Sequence, residues 1–224
     1  MLFRVATYNV KNTDGGKSLN GIAEELRTSN ADIIGLQELD RGVSRSGNAD
    51  LLSELSKKSG YLSARFCRSF YYDTGEYGTG ILTKHNIIDS KIKKLPSAKE
   101  PRILTRFYID ICGTVICFYN AHLSIERSAR RKQLELIAAE LKKEPRSVLA
   151  GDFNIDSFDE LAPFSFANIA NFSGRDYSTF KTERPSRKID NIITSPDIEI
   201  SSVFMSESEY SDHNMLVADL KLDL

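Results

Sequence analysis

Six times along this chain, a short apolar run of the kind that forms a buried strand is bordered at once by an acid, an amide or an imidazole. Asn9 follows Ala6-Thr7-Tyr8, Glu38 follows Gly35-Leu36-Gln37, and His122 follows Tyr119-Asn120-Ala121. Asp152 and Asn154 follow Val148-Leu149-Ala150-Gly151, Asp190 sits at the start of Ile189–Ile193, and Asp212-His213 immediately precedes the last run. A carboxylate beside an apolar strand is costly to bury unless it is paired, hydrogen-bonded or metal-bound. Taken singly, each place has a plain structural reading. Asn9 suits an Asx-turn, Glu38 a solvated loop acid, His122 a hydrogen-bonded structural histidine, Asp190 an edge-strand acid and Asp212-His213 a turn or cap. Together they call for a common explanation, because two of the three histidines in the chain fall in the set.

Around these places strand-like and helix-like patterns alternate, and then strands dominate. Phe3–Tyr8 and Asp32–Gln37 read as buried strands. Ser18–Arg27 carries Leu19, Ile22, Ala23 and Leu26 at the spacing of an amphipathic helix, and Ala49–Lys58 reads as another. Further strands are predicted at Tyr61–Phe66, Thr79–Thr83, Ile87–Ile92, Ile103–Ile109 and Thr114–Asn120, the last reached through a tight turn at Cys112-Gly113. A long helix over Ser128–Lys142 is stopped by Pro145. Strands at Ser147–Ala150, Ile189–Ile193, Ile198–Phe204 and Met215–Leu222 complete the pattern, with a poorly periodic stretch over residues 156–188. No repeat or linker divides the 224 residues. One domain, residues 1–224, is expected, of α+β class with two packed sheets flanked by helices.

Thirty Lys+Arg against thirty-one Asp+Glu give a formal charge of -1, which excludes a protein held to nucleic acid or anionic lipid by bulk charge. No apolar run approaches the roughly 18 residues that span a bilayer, and no basic-then-apolar leader opens the chain, so a cytoplasmic location is expected. Cys67, Cys112 and Cys117 form no CxxC pair and read as three small buried hydrophobes. Arg127, Arg130, Arg131 and Lys132 read as the solvated face of the long helix, with a phosphate-binding patch beside His122 as the alternative. Tyr71 and Tyr72 read as partial core, or as a stacking surface for a base or sugar. Gly78 and Gly80 lead into a strand and not a helix, so they read as turn glycines and not as a dinucleotide motif.

The chemistry this set suits is metal-assisted attack of water on a phosphoester. Mg²⁺ takes oxygen ligands and keeps several waters, so one or two carboxylates hold it, and the lack of clustered Cys and His disfavours zinc. An aspartate can deprotonate the water while an amide positions it, and a protonated histidine backed by a carboxylate can meet the phosphate oxygens. In their order, Tyr8-Asn9, Leu36-Gln37-Glu38, Asn120-Ala121-His122-Leu123, Gly151-Asp152-Phe153-Asn154, Ile189-Asp190 and Ser211-Asp212-His213 closely resemble the endonuclease/exonuclease/phosphatase superfamily, from about residue 5 to residue 220.

The resemblance implies a deoxyribonuclease I-like four-layer αββα sandwich of two mostly antiparallel sheets flanked by helices. It implies Mg²⁺ or Mn²⁺ as cofactor, with Glu38 as principal ligand, Asn9 close by and Asp212 as a further ligand. Asp152 would activate the water, Asn154 would position it, His122 and His213 would contact the phosphate, and Asp190 would orient His213. Glu76 would stand behind His122, as in the deoxyribonuclease branch. Arg41, Arg45 and Arg102 occupy loops able to line the site, each otherwise a surface ion pair, and Arg187-Lys188 precedes Asp190. Leu39-Asp40-Arg41 after the acid departs from the Gln-Glu-Thr-Lys of abasic-site endonucleases, and the short chain leaves little length for loops that grip DNA. The substrate is therefore a phosphoester of open class, whether nucleic acid, lipid headgroup or small molecule, and a monomer is expected. The alternatives are a nuclease and, in a different class, a catalytically silent binding module.

Overall fold

Adjacent parallel strands need a crossover, and this chain makes that connection twice with a helix. The computed structural model describes residues 1–182 and 186–223. Strand β1 (Leu2–Asn9) passes through α1 (Leu19–Ser29) to β2 (Ile33–Arg41), which runs parallel to it. Helix α2 (Leu51–Ser59) and strands β3 (Ser63–Tyr72), β4 (Gly75–Thr83), β5 (Asn86–Leu95) and β6 (Arg102–Ile111) follow. Then β7 (Thr114–His122) passes through α3 (Arg127–Leu141) to a parallel β8 (Ser147–Asp152). Strands β9 (Asn168–Ile169), β10 (Asp190–Thr194), β11 (Ile198–Ser206) and β12 (Met215–Leu222) complete two sheets, ordered β11-β12-β1-β2-β4-β3 and β5-β6-β7-β8-β10-β9. Each sheet has its parallel pair at the centre and antiparallel pairs outward.

Alternation along the strands sorts the side chains into layers. Val5, Ile33, Ile81 and Leu216 of the first sheet meet Phe107, Phe118, Val148 and Ile192 of the second. On the outer face of the first sheet Ala6, Tyr8, Ile34 and Leu36 pack on Ile22 and Leu26 of α1 and Leu55 of α2. Beyond the second sheet, Tyr119 and Leu149 pack on Leu134, Ile137 and Leu141 of α3. The result is the four-layer αββα sandwich. No described helix is long and apolar enough to cross a membrane.

A polar group crosses the apolar interior. Asn120 of β7 is fully buried, and its Nδ2 donates to the carbonyls of Leu36 and Gly80 in the opposite sheet, at 3.0 and 2.8 Å. Its Oδ1 accepts from Gln37 Nε2 at 2.8 Å. Gly35 makes the room, since a Cβ there would meet Asn120 Oδ1 at 3.0 Å.

Several expectations change. Arg130 is not on a solvated face. It is fully buried, donating to Glu160 Oε2 and Asp156 Oδ2 at 2.8 and 2.6 Å and to the Ile125 carbonyl at 2.6 Å, because α3 packs that side against the segment after β8. Gly78 and Gly80 lie inside β4, where a Cβ on Gly78 would run into the Cys67 backbone of β3, so close strand approach and not a turn requires the first. Cys67 and Cys117 are buried as expected, but Cys112 is exposed at the β6–β7 turn with φ 51°. Tyr71 and Tyr72 are exposed and not partial core, because β3 is an edge strand. The poorly periodic stretch holds a 3-10 turn over Phe158–Phe164 and the short β9, while residues 183–185 of it lie outside the described residues.

Asn120→Leu keeps the branched shape but leaves the Leu36 and Gly80 carbonyls without their side-chain donor and takes one of the two acceptors of Gln37 Nε2. At about 1–3 kcal/mol per unsatisfied buried group, urea unfolding is expected to lose roughly 3 kcal/mol or more with the slope unchanged. A loss near zero would show that the clamp between the sheets carries no stability.

Candidate active site

The carboxyl ends of both parallel pairs open on one edge of the sandwich, the place where backbone topology leaves a crevice. Asn9 ends β1, His122 ends β7 and Asp152 ends β8. Glu38 was expected just past a strand, yet it lies within β2. The pairing with β4 shifts register between Leu36 and Leu39, and Glu38 takes φ 58°. A bulge of this kind re-aims a side chain, and the left-handed backbone costs a non-glycine residue about 1–2 kcal/mol. Asn154 is likewise left-handed at φ 51°.

The Asn9 amide ties the two sheets together. Its Nδ2 donates to Glu38 Oε1 and to Asp152 Oδ2, both at 3.0 Å. Its Oδ1 accepts from the Lys11 backbone at 3.0 Å, and Ser211 Oγ donates to its carbonyl at 2.7 Å. Asp152 Oδ1 accepts from the Asn154 backbone at 3.0 Å, and Asn154 Nδ2 donates to the Leu123 carbonyl at 3.0 Å. Strand register sets His122 on one side of Asp152 and Asp190 on the other. His122 Nε2 and His213 Nε2 lie 3.5 and 3.7 Å from Asp152 Oδ2. His213 Nδ1 is 2.8 Å from Asp190 Oδ2, and the Phe180 ring lies against the His213 ring at 4.9 Å.

These surroundings set opposite charge states on the two histidines. Burial works against charge on His213, but attraction and a hydrogen bond from Asp190, with help from Asp152 and Asp212, raise it to about 9. His122 is pushed well below its ordinary value by burial, Arg102 and His213. Its Nδ1 is buried without a partner among the described residues. Burial, then the like charge of Asp190, raise Asp152 against the pull of His213, Asn9 and the Asn154 backbone. Burial also raises Glu38, with Asp212 adding to it against Asn9, His213 and Arg102.

Two groups of donors could hold a metal ion. Asp152, Asp190 and His213 each bring a ligand atom within 4.8 Å of the others. Glu38 and Asp212 offer carboxylate oxygens, with Asp212 Oδ2 facing Lys11 Nζ at 3.5 Å, while Asn9 turns its Nδ2 to Glu38 and its Oδ1 to the Lys11 backbone.

A cavity of about 550 Å³ has Glu38, His122, Asp152, Asn154, Asp212 and His213 in its lining. Arg102 lines it too, buried, with Nη1 2.9 Å from Glu100 Oε1. Arg41 and Glu76 do not line it. Arg41 Nε donates to Glu76 Oε2 at 2.6 Å and stacks on Phe66, while Arg68 Nη1 takes the other Glu76 oxygen at 2.6 Å. Glu76 is therefore engaged by two arginines on the β3–β4 side and does not stand behind His122. The wall formed by Phe70, Tyr77 and Phe180 was not anticipated, and no spacing marks it in the sequence. Lys11, two residues after Asn9, is the one unanticipated neighbour that proximity in sequence could have suggested. A cavity of about 650 Å³ at the start of α3, lined by Arg127, Arg131, Asp159 and Pro163 among others, holds none of these groups.

A sequence profile described as Endonuclease/Exonuclease/phosphatase family matches residues 6–213. The chain belongs to this family. Its members are phosphoester hydrolases. No curated protein matches the sequence. Among solved structures, an endonuclease/exonuclease/phosphatase from Beutenbergia cavernae superposes with a TM-score of 0.84 at 20% identity, over 99% of this chain and 72% of that one. A humanized TDP2 of D. rerio gives 0.77 at 19% identity, over 98% and 99% of the two chains. A mannosyl-6-phosphatase from Bacteroides thetaiotaomicron gives 0.74 at 20% identity, over 98% and 100%. At such identities the superpositions establish a shared fold.

The charge on His213 has a measurable signature. With its pKa raised, its contribution to stability is complete below about 6.5 and is lost as pH rises through about 9. In the metal-free protein its ring is expected to titrate near 9 by NMR, and in Asp190→Asn at or below the ordinary value. An unshifted titration in the variant would show that Asp190 does not hold the charge.

Proposed function

We propose that this chain hydrolyses phosphoesters with a divalent cation, Mg²⁺ or Mn²⁺, held by Glu38 and Asp212, with Asn9 close by to orient Glu38, using water activated by Asp152. The observation that carries the reading is the pair of hydrogen bonds donated by Asn9 Nδ2, at 3.0 Å to Glu38 Oε1 and 3.0 Å to Asp152 Oδ2, which holds a carboxylate able to ligate a cation beside a buried base. Glu38 and Asp212 repel each other in partial burial, and a hard cation relieves that repulsion. The Asp152, Asp190 and His213 group is the poorer holder, since Asp190 and His213 already satisfy each other at 2.8 Å. When bound, the cation withdraws charge from a phosphate oxygen and stabilises the departing alkoxide.

The remaining work belongs to the side chains. Asp152, its pKa raised by burial, accepts a proton from water as the water oxygen bonds to phosphorus and the ester oxygen leaves. The backbone N–H of Asn154 fixes the orientation of Asp152. His213, cationic through Asp190, donates Nε2–H to a non-bridging oxygen on which charge accumulates. His122 is neutral and contacts the same group as a hydrogen-bonding partner, not as a charge. Arg102 supplies fixed positive charge in the cavity lining.

A cavity of about 550 Å³ with Phe70, Tyr72, Tyr77 and Phe180 in its wall favours a compact phosphoester over a duplex held by long loops. Single-stranded nucleic acid is the second reading, favoured by exposed Tyr71 under the Arg68 guanidinium at 4.1 Å. A silent binding module is disfavoured because no position of the set is missing.

Release of phosphate or alcohol from mono- and diesters is expected with Mg²⁺ or Mn²⁺ and to stop with EDTA. Asp152→Ala and His213→Ala are expected to lower kcat by about 10²–10⁴-fold with circular dichroism unchanged. Glu38→Gln is expected to raise the metal concentration needed for half-maximal rate. Near-wild-type rates in Asp152→Ala, or hydrolysis unaffected by EDTA, would overturn the assignment.

A further inference from the structure

We infer that Arg45 forms a second anion subsite at the mouth of the candidate active site, so that the substrate is a phosphoester bearing another anionic group, a phosphate or a carboxylate. This rests on the proposed reading of the cavity as the place where the reacting phosphate binds.

The subsite is built from behind. Asp40, two residues beyond Glu38 on β2, is fully buried, and an ionised acid without water must be paired. Arg45 Nε and Nη2 donate to its two oxygens, each at 2.8 Å, and Ser46 Oγ adds a bond at 2.5 Å. The connecting excursion is compact. Gly42 and Gly47, at φ 72° and 64°, flank a 3-10 turn over Ser44–Ser46, and Gly42 N donates to the Ala49 carbonyl at 3.0 Å. The guanidinium then lies over the Tyr72 ring at 4.7 Å and near the Tyr77 ring at 5.7 Å, and it lines the cavity that holds Glu38 and His213.

The arrangement leaves Arg45 half used. A guanidinium has five N–H groups, and the side edge directed at Asp40 takes two of them. Of the three that remain, one on Nη1 and one on Nη2 form the end-on fork that receives carboxylate or phosphate, and no described protein group occupies it. The side chain is 37% exposed, whereas its partner Asp40 is sealed at 0%. Were the pair only a structural strut, the arginine would have no need to face the cavity. Arg102 strengthens the same wall, buried with Nε unpartnered. The acids that suit a cation, Glu38 and Asp212, belong to the candidate metal group, so a substrate with charge at both ends meets a partner for each.

Calorimetric binding in Mg²⁺ tests this with matched ligands, kept apart from turnover. Glycerol 3-phosphate, 3-phosphoglycerate and glycerol 1,3-bisphosphate differ by no second anion, a carboxylate or a phosphate. AMP and adenosine 3′,5′-bisphosphate repeat the comparison over a longer span. In the wild type the second anion is expected to tighten Kd about tenfold in at least one pair, and the preferred member shows whether carboxylate or phosphate is the group. In Arg45→Gln that advantage is expected to fall below about twofold, and in Arg45→Lys, which keeps charge without the fork, to be only partly kept. Asp40→Asn is expected to reduce it because the fork loses its anchor. A purely structural role would lower Tm while leaving the ratio between paired ligands unchanged, and an equal ratio in wild type and Arg45→Gln overturns the inference. Turnover read alongside separates the two ideas. Arg45-dependent binding without hydrolysis of any ligand would sink the phosphoesterase reading and leave the anion subsite standing.

Discussion

The site depends on one amide. Asn9 is nearly sealed from solvent, and its two N–H bonds run to carboxylates on different sheets, Glu38 from β2 and Asp152 from β8. Two acids this close repel, and a neutral double donor between them lowers that repulsion without adding charge. The amide oxygen accepts from the Lys11 backbone, and Ser211 Oγ holds the Asn9 backbone carbonyl, so the direction of the amide is imposed and not chosen by the acids. The Asn120 clamp deeper in the interior keeps the sheets at the separation this bridge requires.

Around that bridge the protein creates asymmetry from two identical side-chain types. His213 has a carboxylate at 2.8 Å and keeps its proton, while His122 has a buried, unpartnered Nδ1 and gives its proton up. Opposed protonation in neighbouring groups is the usual mark of a site built for proton transfer. The strained backbones at Glu38 and Asn154 belong to the same economy, since a left-handed non-glycine residue persists only where its surroundings over-determine it.

Much of the frame was legible. The helix at α3 was anticipated within a residue of its ends because Leu134, Ile137, Ala138 and Leu141 keep helical period on one buried face. The last strand matched its span because it is paired on both sides and Met215–Ala218 form an unbroken apolar run followed by alternation through Leu220 and Leu222. Strands β3 and β5 extend further than expected, since edge strands expose alternate polar residues that blur the period. Arg130 misled because a charged residue at a helix start reads as solvated until Glu160 and Asp156 are known to lie opposite it. Glu76 misled for the matching reason, as two arginines distant in sequence claim it.

By itself the sequence determined which side chains stand at the ends of strands and in what order, because alternation and strand length are local properties of neighbouring residues. Only the tertiary structure decided that these ends meet, that Glu38 turns inward through a bulge, that one histidine is charged and the other is not, and that Arg45 reaches the cavity mouth from its seat on Asp40. Those outcomes depend on contacts between residues far apart in the chain and on the water their burial removes. Local periodicity carries no record of either.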